Sequence, residues 1–125
     1  MARDHPGLPV VIDHVGLEVE VRDVPLLPLF EPILAMSTLP NVAVKATALP
    51  CAVSEPYPFP SLHEPFRRLL EAFGADRVFW GTDLTRLPCP YAEGRSFVDE
   101  MEFLTPSDRE WILGRGIEEW LRWRR

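Results

Sequence analysis

The chain has 125 residues, of which 46% are hydrophobic and 26% are charged. These proportions exclude a disordered chain and suit one globular domain over residues 1–125. The net charge of −6 argues against nucleic acid or an anionic membrane surface as the partner. No segment has the layout of a signal peptide or approaches the ~18 apolar residues of a membrane span. Cys51 and Cys89 form no CxxC pair, so we expect a cytoplasmic protein with free thiols.

Three short apolar stretches predict buried strands at residues 9–15, 42–49 and 77–83. They are rich in β-branched or aromatic residues and are bounded by proline, glycine or asparagine. The first and third are nearly continuous apolar runs, a pattern typical of strands that are covered on both faces, as in a parallel sheet.

Helical patterns follow each predicted strand. The first spans residues 25–39, and we expect it to begin near Pro28 with Pro32 in its first turn. The second begins with a Ser61–Glu64 capping box and ends at Gly74.

The third predicted helix begins with Thr105 as N-cap and Pro106 at the first helical position. Gly114 and Gly116 divide its pattern into two segments, because glycine weakens a helix interior. The order of the elements is therefore β-α-β-α-β-α.

This order predicts a parallel sheet built from consecutive βαβ units. His14, Lys45 and Asp83 fall at or near the ends of the three predicted strands and are roughly 30 to 40 residues apart, the length of such a unit. Functional groups of parallel α/β sheets lie at the carboxyl ends of the strands. The three side chains are therefore candidates for one site.

Each candidate has a structural alternative. His14 is a general acid or base, a metal ligand, or a core residue with a ring nitrogen bonded to a carbonyl. Lys45 is either buried and paired with a carboxylate or extended to the solvent at the sheet edge. Asp83 either caps the loop that follows it or acts as a ligand or base, and Gly81 allows close approach of a backbone or ligand there.

Four segments in this order and spacing, "VVIDHVG", "PNVAVKATAL", "LLEAFGADRVFWGTD" and "LTPSDREWILGRG", resemble the C-terminal half of the amidohydrolase-related family. The resemblance runs from about residue 5 to residue 121. It implies three consecutive βα units of a (β/α)₈ barrel and a hydrolase or decarboxylase. The implied substrate is a small molecule, such as a lactone, that carries carboxylates.

The resemblance also implies roles for individual residues. His14 matches the histidine that polarises the substrate carbonyl or helps in proton transfer. Asp83 matches the aspartate that binds the metal in metal-dependent members and activates water in the hydrolases. Arg86 and Tyr91 are expected to contact the substrate because they follow Asp83 closely. Lys45 falls in a recurring family pattern without a fixed catalytic role, and we include it among the candidate substrate contacts.

Much of the family's site is missing from this sequence. A (β/α)₈ barrel needs ~200 residues or more, and the family's H-x-H metal pair is absent from this chain. The complete family site holds a divalent metal, most often zinc, whereas this chain has too few ligands to hold one well by itself. We therefore expect a truncated or split portion that is inactive without a homo-oligomer or a complementary half-barrel chain. The alternative is a non-catalytic interaction domain or remnant.

Overall fold

The computed structural model describes residues 1–123, which contain a three-stranded parallel sheet. Its strands are β1 (Val10–Ile12), β2 (Val42–Thr47) and β3 (Val78–Gly81), in the order β1-β2-β3. Both pairings are parallel. The predicted α/β class and the three predicted strands are thus confirmed.

The strands are shorter than the predicted spans 9–15, 42–49 and 77–83, mainly at their carboxyl ends. The backbone turns into the left-handed region just beyond each strand, at His14 (φ 52°), Ala48 (φ 57°) and Asp83 (φ 49°). An extended ladder cannot continue through such a residue. His14 and Asp83 therefore lie in turns beyond the strands and not within them.

Five α-helices accompany the sheet among the described residues. α1 (Leu26–Leu34) precedes β2, and α2 (His63–Phe73) precedes β3. α3 (Tyr91–Ser96), α4 (Pro106–Glu110) and α5 (Gly116–Trp120) follow β3. α3 was not predicted from the sequence. No helix among residues 1–123 combines the length and apolar character needed to cross a membrane.

The prediction for the start of α1 was wrong. The helix begins at Leu26, so Pro32 lies in its interior and not in its first turn. Pro28 and Pro32 are both exposed. Water can therefore satisfy the Pro28 carbonyl, which receives no N–H from Pro32.

The two predicted helix caps, a capping box at Ser61 and an N-cap at Thr105, had different outcomes. Ser61 does not cap α2, because a 3₁₀ turn (Pro60–Leu62) precedes the helix and its N-cap residue is Leu62. The Ser61 N–H, which a capping box would direct to Glu64, donates to Glu55 at 2.8 Å instead, and the Ser61 hydroxyl donates to the same carboxylate at 2.5 Å. Thr105 does cap α4: its side chain accepts from the Asp108 N–H, and the Asp108 carboxylate accepts from the Thr105 N–H. The predicted break in the last helix is also confirmed, since one π-helical turn, Trp111–Arg115, separates α4 from α5.

The hydrophobic core lies on one face of the sheet. Side chains of β2 and β3 meet buried aromatic and leucine side chains of α1 and α2 there: Val42, Val44, Ala46, Val78, Phe30, Phe66, Leu69 and Phe73. Because side chains alternate along a strand, Lys45, Thr47, Phe79 and Gly81 belong to the opposite face. This second face leads up to the carboxyl edge of the sheet.

Candidate active site

His14 and Asp83 converge at the carboxyl edge of the sheet. His14 Nε2 lies 3.9 Å from Asp83 Oδ2, and the two side chains are 32% and 24% exposed. β1 and β3 are not neighbours in the sheet, because β2 lies between them. The pair therefore extends across the end of β2, and both side chains are partly exposed there.

The turns that carry this pair have unusual backbone conformations. His14 and Asp83 both have positive φ, and so does Val15, for which a β-branched side chain makes this conformation especially unfavourable. A left-handed non-glycine residue costs of order 1–3 kcal/mol, and such residues cluster at functional sites. The unfavourable backbone conformation of the pair itself is therefore a second feature, besides its convergence, that is typical of a functional site.

Thr47 joins the site from β2 and was not among the predicted residues. Its Oγ1 lies 2.6 Å from His14 Nδ1, and its side chain is almost completely buried. The sequence feature that could have identified Thr47 is its position near the carboxyl end of the middle strand. The predicted strands on either side end at or near His14 and Asp83. Its hydroxyl is within hydrogen-bonding distance of the imidazole ring.

Arg86 lies close to Asp83, and its predicted role as a substrate contact stays a prediction. Its Nη1 is 3.6 Å from Asp83 Oδ2, while its Nη2 donates to the Val19 carbonyl at 3.2 Å. The guanidinium therefore balances the Asp83 charge and links the loop after β3 to the loop after β1. The Arg86 carbonyl in turn accepts a hydrogen bond from Cys51 Sγ at 3.1 Å, and burial raises the pKa of the Cys51 thiol.

Lys45 and Tyr91 have other partners in the structure. Lys45 Nζ lies 2.8 Å from Asp13 Oδ1, and this hydrogen-bonded ion pair lowers the pKa of the Asp13 carboxyl. Tyr91 is exposed at the start of α3 and packs edge-on against Trp80, with ring centroids 6.5 Å apart. Their predicted role as substrate contacts stays a prediction.

A metal ion needs more ligands than this edge provides. No group of three or more His, Cys, Asp or Glu side chains within residues 1–123 could surround one. Asp83 and His14 offer two donors, and catalytic zinc takes three protein ligands. The described residues therefore do not fit a zinc ion by themselves.

Comparison with known proteins identifies the family. The model of the amidohydrolase family matches residues 1–123. The chain belongs to the amidohydrolase family. No curated protein matches this amidohydrolase chain.

Two similar solved structures show the fold of this amidohydrolase chain. One is an amidohydrolase from Burkholderia multivorans with bound zinc, with 20% identity, a TM-score of 0.77 and coverage of 94% of this chain and 45% of that one. The other is a putative 2-pyrone-4,6-dicarboxylic acid hydrolase from Pseudomonas putida, with 20% identity, a TM-score of 0.72 and coverage of 93% and 44%. The chain thus spans less than half the length of these structures. Its fold is that of three consecutive βα units of a (β/α)₈ barrel.

Proposed function

We propose that this chain supplies one side of the active site of an amidohydrolase-type hydrolase that opens a small lactone bearing carboxylates. The observation that carries the proposal is the 3.9 Å approach of His14 Nε2 to Asp83 Oδ2 at the carboxyl edge of the sheet. This is the edge at which (β/α)₈ enzymes hold their catalytic groups. The name of the Pseudomonas putida structure supports a lactone of the pyrone dicarboxylate type as the first substrate to test.

The two side chains have complementary roles in the proposed reaction. The Asp83 carboxylate accepts a proton from the attacking water and returns it to the ring oxygen as the lactone C–O bond breaks, and His14 donates a hydrogen bond to the carbonyl oxygen on which negative charge develops. Arg86 holds the Asp83 carboxylate from its other side. A guanidinium is also well shaped for a substrate carboxylate, so an incoming substrate competes with Asp83 for Arg86.

The rest of the site is proposed to come from outside this chain. Asp83 is the ligand that the chain offers to a zinc ion, and the Burkholderia multivorans structure with bound zinc supports that choice of metal. The remaining ligands would lie in the part of a barrel that residues 1–123 do not contain. A second copy or a complementary half-barrel chain is the proposed partner.

Activity of material purified from the native host tests the proposal, because any partner is purified with the tagged protein. Ring opening of 2-pyrone-4,6-dicarboxylate and related dicarboxylate lactones is followed by absorbance. We expect Asp83→Asn and His14→Gln to lower kcat by about 10² to 10⁴, the usual contribution of a general acid or base. Asp76→Asn, at the amino end of β3, and His63→Gln in α2 are the matched controls.

Two results would contradict the proposal. Equal rates for the wild type and Asp83→Asn would remove Asp83 from the reaction. A wild-type preparation that opens none of these lactones, and releases no carbon dioxide from them, would favour the non-catalytic interaction domain instead.

A further inference from the structure

We propose that Thr47 is a positioning residue that fixes His14 as the tautomer protonated on Nε2. The catalytic consequence rests on the proposed function, whereas the tautomer itself depends only on the contacts of this chain. The proposal gives a role to the buried Thr47 hydroxyl, and Thr47 was not among the predicted site residues.

The distances around the ring determine where its proton lies. Thr47 Oγ1 is 2.6 Å from His14 Nδ1, and Asp83 Oδ2 is 3.9 Å from Nε2. An ionised carboxylate only accepts hydrogen bonds, so the ring nitrogen that faces it is favoured to carry the proton. A neutral imidazole has one donor and one acceptor nitrogen. Nδ1 is then the acceptor, and the Thr47 hydroxyl is its donor.

The sheet holds the Thr47 hydroxyl in place. Thr47 is the last residue of β2, and the residue is only 6% exposed. It pairs in register with Gly81 of β3. A Cβ on Gly81 would lie 2.5 Å from Thr47 Cγ2, which is closer than real Cβ contacts come. Gly81 therefore leaves the space that this Thr47 rotamer occupies, and replacing Gly81 should displace the hydroxyl.

This arrangement divides the catalytic work between the two side chains. With Nε2 protonated, His14 acts as a hydrogen-bond donor to the substrate carbonyl and not as the base. Asp83 is left to accept the proton from water. Thr47 thus acts through His14, in the way that a partner on one ring nitrogen sets the state of the other.

A purely structural role for Thr47 makes a different prediction. Thr47→Val keeps a branched side chain of similar shape and loses only the hydroxyl, whereas Thr47→Ser keeps the hydroxyl and loses a methyl group. If Thr47 only packs, the valine variant should leave the imidazole unchanged. If Thr47 positions His14, the serine variant should behave like the wild type.

The tautomer can be measured directly by nitrogen-15 NMR. The ring nitrogen shifts of His14 are recorded on the full metal-free chain at about pH 8.5, where model imidazoles are neutral. We expect a single tautomer with protonated Nε2 in the wild type and in Thr47→Ser. Thr47→Val and Gly81→Ala should give a mixture of tautomers. Thr38→Val is the matched control, since the Thr38 hydroxyl is exposed and bonds only to Ala35 in its own turn.

Several outcomes would overturn the inference, and they differ from failure of the proposed function. Protonated Nδ1 in the wild type, or the wild-type tautomer in Thr47→Val, would overturn it. If Thr47→Val fails to fold, the Gly81→Ala spectrum replaces it, and the wild-type tautomer in that variant would overturn the inference. In active material we expect Thr47→Val to lower kcat about tenfold with little change in KM, in line with the loss of one hydrogen bond. The expected tautomers without any lactone hydrolysis would leave the Thr47 inference standing and contradict only the proposed function.

Discussion

The ammonium group of Lys45 lies 2.8 Å from the carboxylate of Asp13, the residue that immediately precedes His14 in the sequence. The Lys45 and Asp13 side chains are 37% and 62% exposed. Lys45 is on the same face of β2 as Thr47 and two residues further from the edge. The pair therefore lies beside the candidate site, but its two charges are satisfied by each other.

This pair gives a pH-dependent contribution to stability. The hydrogen bond from Lys45 lowers the pKa of Asp13 below its ordinary value of 3.8. A lowered pKa in the folded state stabilises the protein above pH 3.8, and this contribution is lost as the pH falls below 3.8 through the folded-state pKa. Lys45→Met should return the Asp13 pKa toward 3.8 and cost less than about 1 kcal/mol at neutral pH, because the pair is exposed and screened.

Two measurements check the Lys45 prediction. A carbon-13 titration of the Asp13 carboxyl gives its pKa, and urea unfolding at low and high salt gives the free energy of unfolding. Lys45→Arg keeps the charge and is the control. An unchanged Asp13 titration in Lys45→Met would show that Lys45 does not cause the shift.

At the residue scale, the sequence was sufficient to bring His14 and Asp83 to one edge. Strand order alone places the ends of parallel strands together. The sequence was not sufficient to identify Thr47, because a threonine at the end of an apolar strand is common and does not by itself indicate a functional residue. Its role depends on a 2.6 Å contact between residues of different strands, and residue order does not determine such a contact.

At the scale of elements, Gly116 fixes the close packing of α5 against the sheet. A Cβ there would lie 2.9 Å from the Trp111 carbonyl oxygen and 3.1 Å from Phe79 Cε1. Gly116→Ala should therefore destabilise the fold by about 1–3 kcal/mol, the usual cost of overpacking. Gly7→Ala is the control, since a Cβ on Gly7 meets nothing within 4 Å.

Thermal or urea unfolding of the two glycine variants checks this prediction. Equal free energies of unfolding for Gly116→Ala and the wild type would mean that α5 moves away from β3 without cost. Displacement of α5 should also be visible in the fluorescence of Trp120, whose ring packs 6.1 Å from that of Phe79.

The elements were easier to predict than their ends. Apolar runs identified all three strands, and the Thr105 cap was correct because it needs only residues three apart. Ser61 has a similar local pattern, but it lies inside a 3₁₀ turn before the helix, and its N–H donates to Glu55 in the preceding loop and not to Glu64. The end of the first strand was placed too far along because His14 and Val15 are not residue types that signal a left-handed conformation, and only Gly16, the third successive residue with positive φ, is of such a type.

At the scale of the whole molecule, the sheet ends at β1 on one side and at β3 on the other within the described residues. Residues 1–123 match less than half of a barrel of known structure, and a closed barrel has no such edges. An edge strand presents unpaired N–H and C=O groups that can pair with another chain. We therefore predict that the chain assembles with a second copy or with a complementary half-barrel.

One substitution on β1 can test whether edge pairing causes the assembly. The Val10 N–H donates to the Asn41 carbonyl at 2.8 Å and so faces β2. Successive residues of a strand direct their backbone groups to opposite sides, so the Val11 N–H faces the open edge. Val11→Pro should remove an outward donor and leave the pairing with β2 intact, whereas Val10→Pro removes an internal hydrogen bond.

Light scattering after size-exclusion chromatography should give a mass above the 14.3 kDa of one chain for the wild type and a smaller assembled fraction for Val11→Pro with the same circular dichroism. Val10→Pro should instead lower the free energy of unfolding, and a folded wild-type protein of 14.3 kDa that recruits no other chain in its native host would contradict the proposed assembly.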